Sequence, residues 1–137
     1  MKKSIVVLCS IFLLASCKKN TPPGMLNEEL PASTTTLASG SFVSSSHPTS
    51  GTAKIVKDAN NKLYLTFENF RTDAGPDLKT WLSPNTNGSP FQDFGFLKAT
   101  TGNFSYELDA NFNYTTNNHV LIWCKRFSVL FGYAVLK

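Results

Sequence analysis

The chain has 137 residues, 42% hydrophobic and 16% charged, with a formal net charge of +4. That length holds one domain rather than two, and Lys2 and Lys3 alone supply two of the four net positive charges. Lys18-Lys19 and Lys125-Arg126 are the only further basic pairs, too few for the concentrated basic face that nucleic acid requires, so nucleic acid is excluded as a partner.

The chain opens with MKKSIVVLCSIFLLASC. Two lysines precede an apolar run, Ile5 to Ala15, that is shorter than the ~20 residues of a bilayer-spanning helix. This is the pattern of a secretory signal peptide, which takes no part in the fold. Its end, Leu14-Ala15-Ser16-Cys17, resembles the bacterial lipobox. The resemblance implies cleavage before Cys17, lipid on that cysteine, and a membrane as the first partner. Because Lys18 rather than an aspartate follows Cys17, the expected location is the bacterial cell envelope, at the outer membrane, facing the periplasm or the cell surface. Cys9 leaves with residues 1–16 and lipid consumes Cys17. Cys124 is then the one free thiol, with no intramolecular partner, in a compartment where an odd cysteine is worth attention.

Residues 17–39 are rich in Ser, Thr and Pro and have no sustained apolar period, which reads as a flexible lipidated tether. Met25 to Leu30 admits a helical turn before Pro31. Residues 40–137 read as a β domain. Ser41–Ser44 is a brief strand, and Thr52–Lys57 alternates. Asp58-Ala59-Asn60-Asn61 makes a turn, because Asp and Asn bond their own backbone and tolerate left-handed conformations. Lys62–Phe70 is the clearest strand, with Leu63, Leu65 and Phe67 on one face and Tyr64, Thr66 and Glu68 on the other. A Gly-Pro break precedes Asp77–Ser83. Pro84–Asp93 is a loop, Gly95–Lys98 and Asn103–Leu108 are strands, and Ala110–Asn118 is a loop that admits a helical turn. Val120–Cys124 and Phe131–Leu136 complete the set. Short strands at this spacing predict an all-β domain, a small antiparallel β-sandwich, with a closed β-barrel as the alternative.

Nitrogen and sulfur ligands are scarce. After the signal peptide and the lipidated Cys17, only His47, His119, Cys124 and Met25 remain, at no zinc-like spacing, so no metal site is expected. No cofactor is required by the sequence. Covalent haem would need C-x-x-C-H, which is absent, and a non-covalent haem with axial Cys124 or His119 is the alternative weighed. His119 and Cys124 are an odd number of residues apart and fall on opposite strand faces. Asp73 and Asp77 flank a Gly-Pro turn, where they read either as a carboxylate pair or calcium site or as turn caps. No G-x-S-x-G occurs. Val120, Ile122 and Cys124 share one face of their strand, and Leu121, Trp123 and Lys125 the other. Cys124 is therefore either a small core residue or a thiol activated by the charge of Lys125 and Arg126.

The segments GSFVSSSHPTSGTAKIVKD, LTFENFRTDAGPDLKTWLS and VLIWCKRFSVLFGYAVL together resemble the DM-thirteen domain, a small extracytoplasmic β domain often found beside DOMON domains. The match runs from Gly40 to Leu136 and rests most on Trp123-Cys124 followed by Phe127 and Phe131-Gly132. Thr80-Trp81 departs from the usual β-branched residue and tyrosine. The resemblance implies electron transfer or redox chemistry centred on Cys124, with a separate redox protein as partner and a turnover enzyme the less expected reading. The alternative is a non-enzymatic ligand-binding or adhesion module in which Cys124 is structural.

Overall fold

The computed structural model describes residues 24–137. The expected signal peptide of residues 1–16, with Cys9, and the expected lipidation site Cys17 lie outside the described residues. Nine strands follow in order: β1 Leu26–Asn27, β2 Thr35–Ser44, β3 Thr49–Lys57, β4 Leu63–Thr72, β5 Leu78–Ser83, β6 Gln92–Phe96, β7 Thr101–Leu108, β8 His119–Cys124 and β9 Val129–Val135. Among the described residues there is no helix. The domain is all-β, as the alternation and turn chemistry require.

The strands hydrogen-bond in the order β1-β7-β4-β3-β2-β9-β8-β5-β6. Every pair is antiparallel except β1 with β7. Strand β2 belongs to both halves: its first part pairs with β3, while Phe42, Val43 and Ser44 pair with β9. The sheet therefore curls at β2 into a half-barrel, and its two limbs face each other across one core in the manner of a sandwich. Bulges at Thr36/Ala38, Ser50/Thr52 and Ile122/Trp123 supply the extra twist that such a curl needs.

The core forms where the inward rows of the two limbs meet. Leu63, Leu65 and Phe67 of β4 face Leu78, Leu82, Val120, Ile122 and Cys124 of the other limb. Phe67 lies at the centre of an aromatic group, with ring centroids 5.1 Å from Phe42, 5.0 Å from Phe70 and 4.9 Å from Phe104. Edge and tilted contacts of this kind add about 0.5–1.5 kcal/mol each beyond the area they bury. Polar links cross between the limbs at Tyr106, where the Thr80 hydroxyl donates to the Tyr106 phenol at 3.0 Å. Burial pushes that phenol up to about 12, so it stays protonated and donates in turn to the Phe96 carbonyl.

The tether read over residues 17–39 needs correction at its C-terminal part. Thr35 to Ser39 are strand residues of β2, and Ala38 is buried in the core. The Ser/Thr-rich composition concealed a run of β-branched threonines, Thr34-Thr35-Thr36, which suit a half-buried pleated surface. Met25–Leu30 is not a helical turn either. Leu26 and Asn27 form β1 and lie beside Gly102 and Asn103, because the open edge of β7 offers unpaired backbone groups that a neighbouring segment satisfies. Gly102 makes this approach feasible: at φ +124° its missing Cβ would overlap the Leu26 carbonyl. Glu28 then fixes the segment, accepting from Lys98 Nζ at 2.9 Å and from the Ser105 N–H at 2.9 Å. The strand expected at Gly95–Lys98 lies earlier, at Gln92–Phe96, and Ala110–Asn118 carries turns only.

Candidate functional site

Strand β8 presents two contrasting faces. Val120, Ile122 and Cys124 point into the core, and Cys124 is 1% exposed. The division of faces matches the alternation in the sequence. Cys124 lies opposite Leu78 on β5 and Val129 on β9, and it is the one free cysteine among the described residues. Lys125, Arg126 and Phe127 continue into the exposed β8–β9 turn. The cationic help expected for a thiolate is thus not directed at the sulfur: both basic side chains stand in solvent while the thiol faces apolar neighbours.

Above this end of the core lies a cap. The loop 73–77 crosses from β4 to β5, and the Lys125 N–H donates to the Asp77 carbonyl at 2.9 Å. A Cβ added at Gly75 would stand 2.9 Å from Leu78 and 3.0 Å from Phe131, so the loop packs directly on these two side chains. His47 stacks on Phe131 with centroids 3.8 Å apart, and its Nδ1 lies 3.0 Å from Asp73 Oδ2. Asp77 lies 3.5 Å from Lys79. Asp73 and Asp77 therefore have separate partners, His47 and Lys79, and do not form the carboxylate pair or calcium site that the sequence admitted. Among the described residues no group of three or more His, Cys, Asp or Glu side chains gathers as a metal site.

A non-covalent haem does not fit at Cys124. His119 and Cys124 lie at opposite ends of β8, and His119 Nδ1 is 2.8 Å from Asn118 Oδ1. Burial holds the His119 imidazole below its ordinary range. A thiol enclosed to 1% exposure leaves no space for a porphyrin at its sulfur.

The outer face of the same limb carries a feature that the sequence reading did not assemble. Trp123 stacks with Trp81 at 5.1 Å and 18°, and Trp81 stacks with Phe91 at 3.7 Å and 15°. The three near-parallel rings run from the residue beside Cys124 to Phe91, which is 46% exposed. Trp81 is buried and its Nε1 has no hydrogen-bond partner among the described residues. Loop 84–91 closes over the row, with Gly88 against the Trp123 ring. Trp81 appeared in the sequence only as a departure from the family pattern, and Phe91 not at all. Strand alternation does signal that Trp81 and Trp123 point outward. Nothing local signals that a loop returns to cover them.

The family described as Electron transfer DM13 matches residues 41–136, and the chain belongs to that family. No curated protein and no solved structure matches the chain. The family description suggests electron transfer; the residues that perform it are a matter of inference from the geometry above.

Proposed function

We infer that the protein is an extracytoplasmic electron-transfer domain, held at a bacterial envelope membrane by lipid on Cys17, with Cys124 as its redox group. The observation that carries this reading is the ring series Phe91–Trp81–Trp123, which leads from a solvent-exposed edge to the neighbour of the buried thiol. Oxidation breaks the Cys124 S–H bond and removes one electron and one proton. The electron leaves through the rings to a one-electron acceptor on a separate redox protein, such as a ferric haem. The proton leaves to water when loop 73–77 opens, since no side-chain acceptor among the described residues is hydrogen-bonded to the sulfur. Enclosure among apolar groups protects an oxidised sulfur from further oxidation, which follows exposure and thiolate character.

The test is an anaerobic titration of the folded protein with a ferricyanide-type oxidant. The wild type should reduce oxidant stoichiometrically, Cys124→Ser should not, and Trp81→Leu should reach the same end point more slowly. A wild type that leaves the oxidant untouched removes the redox reading. A second reading, a ligand-binding or adhesion module with a structural cysteine, is favoured by one observation, the 1% exposure of Cys124, and would then stand.

A further inference from the structure

The strand directions sort the molecule into two ends. Odd-numbered strands begin and even-numbered strands finish at the same rim, as the pairings Thr49↔Thr72, Leu26↔Gly102, Ser44↔Gly132, Leu78↔Cys124 and Lys79↔Phe96 require. Five large apolar side chains are exposed among the described residues: Met25, Val43, Phe91, Phe96 and Phe127. Four of them, all but Phe91, belong to this rim. Phe127 is 65% exposed at the tip of the β8–β9 turn, directly after Lys125 and Arg126. Scattered exposed apolar residues are ordinary, but their segregation to one end, beside basic residues, marks an interaction surface.

Cations outnumber anions at this rim. Asp77 is paired with Lys79 and Asp73 lies beside His47, whereas Arg71, Lys125 and Arg126 form no salt bridge among the described residues. Arg71 borders an open recess of about 380 Å³ together with Ser44, Thr49, Ser50 and Asp73. The opposite end is built from Asp58, Asn60, Asn61, Asp109, Asn111 and Asn113 and carries Lys57 and Lys62 as well, so the two ends differ more in exposed apolar side chains than in charge.

The described chain enters at the apolar, basic rim. The Thr100 hydroxyl donates to the Gly24 carbonyl at 3.0 Å, and the Thr72 N–H donates to the Thr100 carbonyl at 2.8 Å. Seven residue steps separate Gly24 from Cys17, a reach of at most about 25 Å when fully extended. The ten-residue strand β2 is itself about 33 Å long. An anchor at Cys17 therefore holds this rim nearer the bilayer than the polar end.

We propose that this rim is a bilayer-docking face: Phe127 enters the headgroup–acyl boundary while Lys125, Arg126 and Arg71 meet anionic lipid headgroups. Met25, Val43 and Phe96 extend the apolar contact from the same ends of their strands. Binding of this type scales with buried apolar area and with attraction to anionic lipid. The orientation rests on the reading of Cys17 as the anchor, and the experiment separates the two.

Phe127→Trp and Asn111→Trp proteins, each compared with the wild type to remove the Trp81 and Trp123 background, are mixed with or reconstituted into vesicles of phosphatidylcholine and one-third phosphatidylglycerol. The Phe127→Trp protein should show a blue shift and loss of emission when the phosphatidylcholine is brominated in its acyl chains. The Asn111→Trp protein should show neither. A Lys125→Glu/Arg126→Glu double variant should partition roughly tenfold or more less well, since each basic residue at an anionic surface contributes about fivefold. Lipidation is read separately from the mass of the N-terminal peptide. Quenching without lipidation keeps the docking face and removes the anchor; lipidation with no difference between the two positions overturns the docking face.

Discussion

The two ends of the sheet are made from the same kind of β-turn architecture, yet their side chains differ in almost every physical respect. At one end, Asp58 accepts from the Asn60 and Lys62 N–H groups, and Asn113 accepts from Thr115 and Thr116. These turns satisfy themselves with their own short polar side chains. At the other end, the 44–49 turn also closes on itself, with Ser44 Oγ accepting from the Thr49 N–H, but loop 73–77 packs on Leu78 and Phe131, His47 stacks on Phe131 above Cys124, and the β8–β9 turn leaves Phe127 in solvent. Self-contained turns need nothing from outside. A turn that exposes phenylalanine beside lysine and arginine has apolar and charged groups that a bilayer would satisfy. The contrast also places the buried thiol beneath the end that is proposed to dock.

The sharpest way to break this comparison is through Cys124. With the sulfur enclosed, a small alkylating reagent must wait for local or global opening, so labelling of the folded protein should be at least about 1,000-fold slower than in denaturant. Labelling at the denatured rate would contradict the enclosed end outright. A smaller effect sharpens the assignment of the cap. Asp73→Ala removes the contact to His47, and for a solvent-exposed pair this should raise the labelling rate roughly two- to fivefold. Asn113→Ala, in the turn at the opposite end, should leave the rate unchanged. Equal acceleration by both would mean that the thiol is released by general loosening rather than by its own cap.

Much of this was legible in the sequence, and the exceptions share a cause. Period-two alternation assigned Val120, Ile122 and Cys124 to one face correctly, and the Asp58–Asn61 turn was evident from residue type. The enclosure of Cys124 was not, because it is completed by Leu78 and by a cap held through His47 and Asp73, which are 26 residues apart. Strand β1 was missed for the same reason. Its pairing with β7 is parallel and non-local, with the Asn103 side-chain amide donating to Asn27 Oδ1 across 76 residues. One signal was present: Gly102 within an otherwise well-formed strand pattern marks a close backbone approach. The stack of Phe91, Trp81 and Trp123 depends on a loop returning over a sheet face, which no periodicity encodes.

Acid should act on the two regions in sequence and with modest amplitude. His119 begins β8 near the polar end, and burial lowers its pKa from 6.5. The unfolded chain then binds this proton more readily than the folded one. The stability from His119 is complete above pH 6.5 and declines as pH falls through the lower folded value. Glu28, which holds β1 to Lys98 and Ser105, responds later. Burial pushes its carboxyl up, but the Lys98 ammonium and the Ser105 N–H outweigh this and bring it below 4.5. Its contribution is full above pH 4.5 and is lost as pH falls through the folded value. Denaturant midpoints measured from pH 8 to pH 3 should show both declines, with His119→Gln flattening the first and Glu28→Gln the second.

The comparison between the ends is tested most directly by one spectrum of the anchored protein. With nitroxide-bearing lipid in the bilayer, paramagnetic broadening of backbone amides reports the distance of each residue from the membrane. The account predicts a gradient along the strands, strongest at residues 125–128, strong at 44–48 and 73–77, and absent at 58–62 and 109–118. A gradient in the opposite direction, or uniform broadening across both ends, would contradict it.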